Sequence, residues 1–123
     1  MGLHVVWCPK YRRRVLGGRI ARRLNVLLDE IANEIANEKG WEIVASEVMP
    51  DHVHIFVRVR CTDSPAGVAR VFKGRTSRVL RSEFQWLART EVLWSKSYFA
   101  ASVGYVSEAT VRRYIEHQWD EAA

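Results

Sequence analysis

The sequence predicts an α+β fold of the ferredoxin-like type, in which two helices cover one face of a four-stranded antiparallel sheet. Its periodic segments follow the order β-α-β-β-α-β of the split βαβ arrangement, with one further helix at the end. The length of 123 residues suits one domain, and the apolar fraction of 48% is enough for a core. Because no repeat or linker divides the chain, we treat residues 1–123 as a single domain.

A strand and a long helix open the chain. Residues 3–8 are predicted to form a strand that ends at Pro9, and Gly17 and Gly18 interrupt the basic connection that follows. Apolar side chains then recur at the spacing of an amphipathic helix over about five turns. Gly40 lies just past the end of this helix, where a left-handed C-cap belongs. The apolar positions of the helix are Ile20, Leu24, Leu27, Leu28, Ile31 and Ile35.

The next two strands are predicted to form a hairpin. Residues 41–48 are the second strand, and Pro50 and Asp51 turn the chain into a third strand that ends near Arg60. Side chains alternate along the third strand, so that its valine and isoleucine side chains share one face. We expect that face to meet the helices and the opposite face to look away from them. The opposite face carries His52, His54, Phe56, Arg58 and Arg60.

The second half of the chain repeats the order of helix and strand. Ser64 is an N-cap, and a proline follows it at the first helical position, so a second helix begins there. If this helix is interrupted, we expect the break at Gly74. Residues 83–96 are predicted to be irregular, and residues 98–105 to form the fourth strand. Ser107 then caps a last helix that carries Val111, Tyr114, Ile115, Gln118 and Trp119.

The distribution of charge predicts a polyanionic partner. The net charge is +5, and residues 10–23 hold seven Lys or Arg with no acid. Residues 58–81 hold seven more with one Asp. Because these two basic blocks flank the histidines in sequence, nucleic acid is the natural partner. A solvated basic surface is the alternative explanation of the same charges.

We expect neither a membrane anchor nor a secretory signal. No window approaches the roughly 18 consecutive apolar residues that a membrane-spanning helix needs. The apolar N-terminus lacks the basic region with which a signal peptide begins. Cys8 and Cys61 are too few and too far apart for a disulfide framework or a cysteine zinc site. We therefore expect two free thiols in a reducing cytoplasm.

Two histidines on the third strand are the strongest functional signal in the chain. At about 3.3 Å rise per residue, the Cα atoms of His52 and His54 lie about 6.6 Å apart on one face, so both rings can reach one metal ion. Asp51 precedes them and can orient one ring, although an ordinary Pro-Asp turn explains it equally well. Two imidazoles do not complete a metal site, so a third ligand is needed.

The last helix offers that ligand together with a nucleophile. Tyr114 and Gln118 are four residues apart and therefore share a helix face. The side-chain carbonyl oxygen of Gln118 suits a hard ion such as Mg²⁺ or Mn²⁺. Tyr114 offers a phenol, although taken by itself it is better explained as a core aromatic. Glu116 and His117 are alternative ligands, but they point elsewhere on the helix.

Five motifs occur in order along nearly the whole chain. They are HVVWCPKYR (residues 4–12), VMPDHVH (48–54), FKGRTSR (72–78), WSKSYF (94–99) and VS with YIEHQ (106–118). Together they resemble the single-tyrosine HUH transposases, which move the smallest bacterial and archaeal insertion sequences as single-stranded DNA. This resemblance implies a metal-dependent DNA strand transferase that passes through a 5′-phosphotyrosine intermediate.

The resemblance also implies roles for individual residues and a set of partners. His52 and His54 would bind the metal, Gln118 would complete its shell, and Tyr114 would be the nucleophile. The family is a homodimer, in which the tyrosine helix of one subunit commonly serves the other, and its members bind a DNA hairpin near the element end. No nucleotide cofactor is required, because the phosphotyrosine keeps the energy of the bond. The residues expected along the DNA are Lys10, Arg12, Arg13, Arg14, Lys73, Arg75 and Arg78.

Other functions stay open at this point. The basic blocks fit a non-catalytic nucleic-acid-binding module on the same fold, and the histidines fit a metal-dependent nuclease that uses water in place of tyrosine. A shortened, inactive transposase copy is a further alternative. Trp41, Trp86 and Trp94 are predicted to belong to the core rather than to stack on bases.

Overall fold

The computed structural model describes residues 2–89 and 92–103, which form an antiparallel sheet with helices on one of its faces. The strand order is β2-β3-β1-β4, as the split βαβ arrangement requires, so the predicted fold class is confirmed. A short 3₁₀ turn, Lys10–Arg12, follows the first strand. The elements are β1 (Gly2–Trp7), α1 (Gly18–Lys39), β2 (Glu42–Met49), β3 (His52–Arg58), α2 (Pro65–Glu83), α3 (Gln85–Ala88) and β4 (Phe99–Val103).

The predicted last helix lies outside the described residues. Tyr114 and Gln118, which the sequence places on it, lie outside them too. Among the described residues, no helix combines the length and the apolar character that crossing a membrane requires.

The two central strands, β1 and β3, divide their side chains between the two faces of the sheet as expected. Val5 pairs with Ile55, and Val6 pairs with His54, in an antiparallel register. The alternating apolar side chains of both strands are buried in one core cluster together with side chains from α1 and α2. Side chains of the opposite parity, the histidines among them, therefore lie on the sheet face away from the helices.

The first helix has the apolar stripe that its sequence predicts. All six stripe positions are buried, from Ile20 to Ile35. Gly40 ends the helix in the left-handed conformation, with φ at 73°, and its backbone N–H donates to the carbonyl oxygen of Ala36 at 3.2 Å. Glycine adopts this conformation without the steric cost that a Cβ imposes, so the chain can turn sharply into β2.

The second helix is continuous, so the interruption considered at Gly74 does not occur. It begins at Pro65, and the Ser64 side-chain oxygen caps it by accepting the backbone N–H of Gly67 at 3.0 Å. A proline at this position is pre-organised for the helix and lacks an N–H that would have no helical partner. The cap and the proline together explain why the helix begins where the sequence predicts.

Replacing Ser64 with alanine is expected to lower the free energy of unfolding by about 1 kcal/mol, because the Gly67 N–H loses its acceptor. Urea unfolding followed by tryptophan fluorescence measures the change. Ser82→Ala is the matched control, since this exposed serine caps no helix N-terminus. Equal stability of Ser64→Ala and wild type would show that the cap contributes nothing.

The segment that joins α2 to β4 is more ordered than the sequence indicates. It contains the one-turn helix α3, and Trp94 forms a β-bridge with Pro9. Trp41 and Trp94 are each 3% exposed, as predicted for core residues. The prediction for Trp86 is wrong, because its side chain is 49% exposed. On a helix, consecutive side chains point about 100° apart, so the turn that buries Leu87 directs Trp86 outward.

Candidate metal centre and basic surface

Three imidazoles, rather than the expected two, meet on the sheet face opposite the helices. His52 and His54 come from β3, and the third is His4 from β1. The Nε2 atom of His4 lies 3.1 Å from the Nδ1 atom of His54, although the two residues are 50 positions apart. They are almost inaccessible, with exposed fractions of 0% for His4, 6% for His52 and 4% for His54. A buried polar cluster of this kind is held in place by contacts within the protein.

Aromatic rings fix the position of His4. Its ring stacks on Phe56, with centroids 4.4 Å apart and 8° between the planes. It is also nearly parallel to the ring of His54, with centroids 5.4 Å apart, and meets the edge of Phe99 at 5.8 Å. The register of the central strands causes this arrangement, because His4 pairs directly with Phe56 and lies diagonally from His54.

Asp51 orients His52 through a hydrogen bond at the start of β3. The Nδ1–H of His52 donates to Asp51 Oδ1 at 2.6 Å, and Arg12 Nη2 donates to the other carboxylate oxygen at 3.3 Å. Burial raises the pKa of Asp51, but the hydrogen bond from His52 and the charges of His52 and Arg12 outweigh it and hold the pKa below its ordinary value. An ionised carboxylate at this place favours the tautomer of His52 that carries its proton on Nδ1.

Burial keeps the other two imidazoles neutral. It lowers the pKa of His4 to about 4. The pKa of His54 falls to about 3, first through burial and then through the neighbouring charges of His52 and His4. A neutral imidazole is the form that binds metal ions. The Nε2 atom of His54 is buried and has no hydrogen-bond partner among the described residues.

These observations fit two of the ligands of a metal site. The rings of His52 and His54 are 4.5 Å apart at their centroids and nearly perpendicular, at 73°. Each uses Nδ1 for a contact with another side chain, so Nε2 is the common candidate for coordination. Within residues 2–89 and 92–103, no group of three His, Cys, Asp or Glu is arranged to hold a metal ion. A metal ion bound here would need a further ligand, from a residue of another type or from another part of the chain.

The predicted DNA-binding cations fall into two groups. Arg12, Arg13 and Arg14 are exposed after the first strand, as is Arg78 on α2, while Lys10 is half-buried. Arg12 lies beside the imidazoles through Asp51. On this side of the protein the structure brings the predicted metal ligands and part of the predicted DNA contacts together.

The other two predicted cations bind groups of the protein itself. Arg75 pairs with Glu34 at 2.7 Å and Glu38 at 3.4 Å, which links α2 to α1. Lys73 donates to the carbonyl oxygen of Ser95 at 2.6 Å, and burial lowers its pKa. Sequence spacing alone does not reveal these partners, since they lie more than 20 residues away along the chain.

The family of this protein follows from a match over nearly the whole chain. Residues 1–118 match the model of a family described as "Transposase IS200 like". The chain belongs to the IS200-like transposase family. The resemblance derived from the five sequence motifs is thereby confirmed.

Relatives of this IS200-like transposase come from several bacteria. The ISDra2 transposase TnpA of Deinococcus radiodurans is 32% identical over 121 residues, which cover 96% of this chain and 84% of that protein. The transposase for insertion sequence element IS200 of Salmonella typhimurium is 27% identical over 121 residues, which cover 96% of this chain and 76% of that protein. Both alignments include the three histidines and the basic stretch of residues 10–14, because they span nearly the whole chain.

Two solved structures share the fold. A crystal structure described as that of a Deinococcus radiodurans R1 transposase has 32% sequence identity and a TM-score of 0.70, with 96% of this chain and 90% of that chain covered. A REP-associated tyrosine transposase bound to a REP hairpin has 13% identity and a TM-score of 0.60, with 96% of this chain and 68% of that chain covered. At that identity the second likeness shows the fold alone.

Proposed function

We propose that this IS200-like transposase cleaves and rejoins single-stranded DNA by metal-dependent transesterification at a tyrosine. The observation that carries the proposal is the orientation of the two β3 imidazoles. Asp51 engages Nδ1 of His52 and His4 lies against Nδ1 of His54, so we propose the two Nε2 atoms as the nitrogens that bind one divalent ion. Gln118 is proposed as the further ligand, and Mg²⁺ or Mn²⁺ as the ion.

The ion, when bound, would polarise the scissile phosphate and offset the charge that develops on it. The protein's own side chains would hold the ion and fix the orientation of the imidazole rings. In the tautomers that we propose, His54 donates its Nδ1 proton to His4 Nε2 and His52 donates its Nδ1 proton to Asp51, so neither ring can rotate without losing a hydrogen bond. His4 is thus proposed as a positioning residue that the sequence motif of two histidines does not reveal.

Tyr114 is the proposed nucleophile. A free phenol has a pKa of about 10, so the hydroxyl gives up its proton to solvent as the oxygen bonds to phosphorus. The bond from phosphorus to the 3′ oxygen of the preceding nucleotide breaks, and that oxygen takes up a proton. One diester replaces another, so a DNA 3′-hydroxyl can reverse the reaction and join new ends without a nucleotide cofactor.

The proposed substrate is a single-stranded DNA hairpin, bound by a homodimer. The solved REP-associated tyrosine transposase is bound to a hairpin, which supports this choice of substrate. Arg12, Arg13 and Arg14 are exposed and suit the phosphate backbone, Arg12 lies beside the imidazoles through Asp51, and Lys10 and Arg78 are proposed as further contacts. Lys73 and Arg75 are also proposed contacts, although each would have to exchange its present partners for phosphate.

The test is the capture of a covalent adduct between the protein and hairpin DNA from an element end. With Mn²⁺ or Mg²⁺ present, wild type is expected to shift the labelled DNA to the protein band on a denaturing gel. Tyr114→Phe is expected to remove the adduct completely, and EDTA is expected to prevent it. Tyr105→Phe is the matched control, because it removes a nearby phenol in the sequence and should leave the adduct intact.

Other results would point to the alternative functions. An adduct formed by Tyr114→Phe would overturn the assignment of the nucleophile. Free DNA ends released by that variant would indicate a nuclease that uses water. A non-catalytic binding module would bind DNA with steep salt dependence, form no adduct, and be indifferent to EDTA and to His52→Ala.

A further inference from the structure

A cavity beside the loop after β1 combines exposed aromatic rings with cations. Its volume is about 440 Å³, which is within the range of roughly 300–1,000 Å³ for small-ligand pockets. Tyr11 is 76% exposed and Trp86 is 49% exposed. None of the described residues that line the cavity is acidic. The residues that matter for its chemistry are Lys10, Tyr11, Arg13, Trp86 and Val92.

The backbone that presents Tyr11 is strained. Tyr11 and Arg12 are both left-handed, with φ at 63° and 52°, a conformation that costs free energy for residues with a Cβ. Hydrogen bonds hold the loop in this state: the Lys10 N–H donates to the Leu93 carbonyl at 2.9 Å, and the Arg12 N–H donates to the Pro9 carbonyl at 2.8 Å. The protein thus maintains a strained turn that keeps a large ring in water rather than in its core.

The charges around the ring suit a phosphate next to a base. Lys10 Nζ and Arg13 Cζ each lie over the Tyr11 ring, 5.5 Å from its centroid, so a base that stacks on this ring displaces a cation toward its own phosphate. Base stacking on exposed aromatic rings combined with backbone contacts from cations is the usual way in which proteins hold single strands. A paired base cannot offer its face in this way, because its neighbours in the duplex already cover it.

The cavity is also connected to the imidazole cluster. Arg12, the residue after Tyr11, donates to Asp51 at 3.3 Å, and Asp51 accepts from His52 at 2.6 Å. One carboxylate therefore separates the loop from the proposed metal site.

We propose that this cavity binds one unpaired nucleotide of single-stranded DNA beside the scissile phosphate. The base stacks on Tyr11 and Trp86, and its phosphate lies against Lys10 and Arg13. The position beside the scissile phosphate rests on the proposed function, whereas nucleotide binding itself does not. Binding can therefore be measured without catalysis.

The probe is a 12-nucleotide oligothymidine with one central 2-aminopurine, titrated in EDTA so that no strand transfer occurs. Binding to wild type is expected to quench the 2-aminopurine through stacking. Tyr11→Ala and Trp86→Ala are each expected to bind about 5- to 150-fold more weakly and to lose the quench. Tyr11→Phe is the matched control, because it keeps the ring and should keep both signals.

Tyr11→Gly separates binding from folding. Glycine tolerates the left-handed backbone, so this variant should unfold at or above the wild-type temperature while it binds as weakly as Tyr11→Ala. Wild-type affinity in both alanine variants would overturn the proposal. So would equal affinity for a 12-nucleotide strand that is abasic at every position, or for a blunt duplex, since the cavity would then attract charge alone. If wild type formed no tyrosine adduct but gave the binding results expected here, the proposed function would be refuted and the nucleotide site would stand.

Discussion

Replacing His4 with leucine is expected to weaken Mn²⁺ binding by about 10- to 100-fold, the usual effect of losing a partner that orients a metal ligand. Leucine fills much of the same volume but offers no acceptor to His54 Nδ1, which lies 3.1 Å from His4 Nε2 in the wild type. The ring of His54 then loses both the tautomer and the orientation that direct Nε2 at the ion. Electron paramagnetic resonance of free Mn²⁺ in a titration of the protein without DNA measures the affinity.

His4→Gln is the matched control for this prediction, because a glutamine oxygen can accept the same proton. It should bind Mn²⁺ almost as tightly as wild type. The leucine variant leaves a buried N–H unsatisfied, at a cost of about 1–3 kcal/mol, and should remain folded. Unchanged Mn²⁺ affinity in folded His4→Leu would refute the positioning role, and no Mn²⁺ binding by wild type would refute the metal site itself.

Replacing Phe72 with alanine is expected to lower the free energy of unfolding by about 3–5 kcal/mol, a large part of the stability of a domain this size. Phe72 is fully buried on α2. Its ring lies between Trp7 and Trp41, with centroid distances of 6.4 Å and 6.3 Å, so its removal opens a cavity in the layer that joins sheet and helices. Urea unfolding followed by the fluorescence of these tryptophans reports the loss directly.

Val26→Ala provides the comparison for the Phe72 variant. Val26 is on α1 and is 51% exposed, so its truncation should change the free energy of unfolding by less than about 0.5 kcal/mol. A similar loss in both variants would mean that stability does not depend on this aromatic layer. Phe72→Leu should fall between wild type and Phe72→Ala, because it fills part of the cavity.

Much of the fold could be predicted because its signals are local. The apolar stripe that ends at Gly40 predicts α1, and Ser64 before Pro65 predicts the start of α2. Alternation along residues 52–58 predicts which face of β3 meets the core. In each case residues close in sequence determine the backbone and the buried side, so the pattern can be seen without knowledge of the partner element.

What escaped prediction depends on contacts between residues that are distant in sequence. His4 joins His54 through the register of β1 against β3, and Arg75 joins Glu34 through the packing of two helices. The left-handed backbone of Tyr11 has no local sequence signal, since neither glycine nor asparagine is present there. An aromatic side chain such as that of Trp86 is predicted to belong to the core, but the single turn of α3 buries Leu87 and directs the adjacent Trp86 outward.

The order of strands has a consequence for the imidazole cluster. All three histidines lie on β1 and β3, the two interior strands, and each of these has a neighbour on both edges. The backbone of each of these strands is hydrogen-bonded to a neighbouring strand on both sides, whereas the backbone of a loop is not. The proposed metal ligands are therefore carried on backbone that is hydrogen-bonded along both edges, and we expect an ion to bind without a rearrangement of these strands.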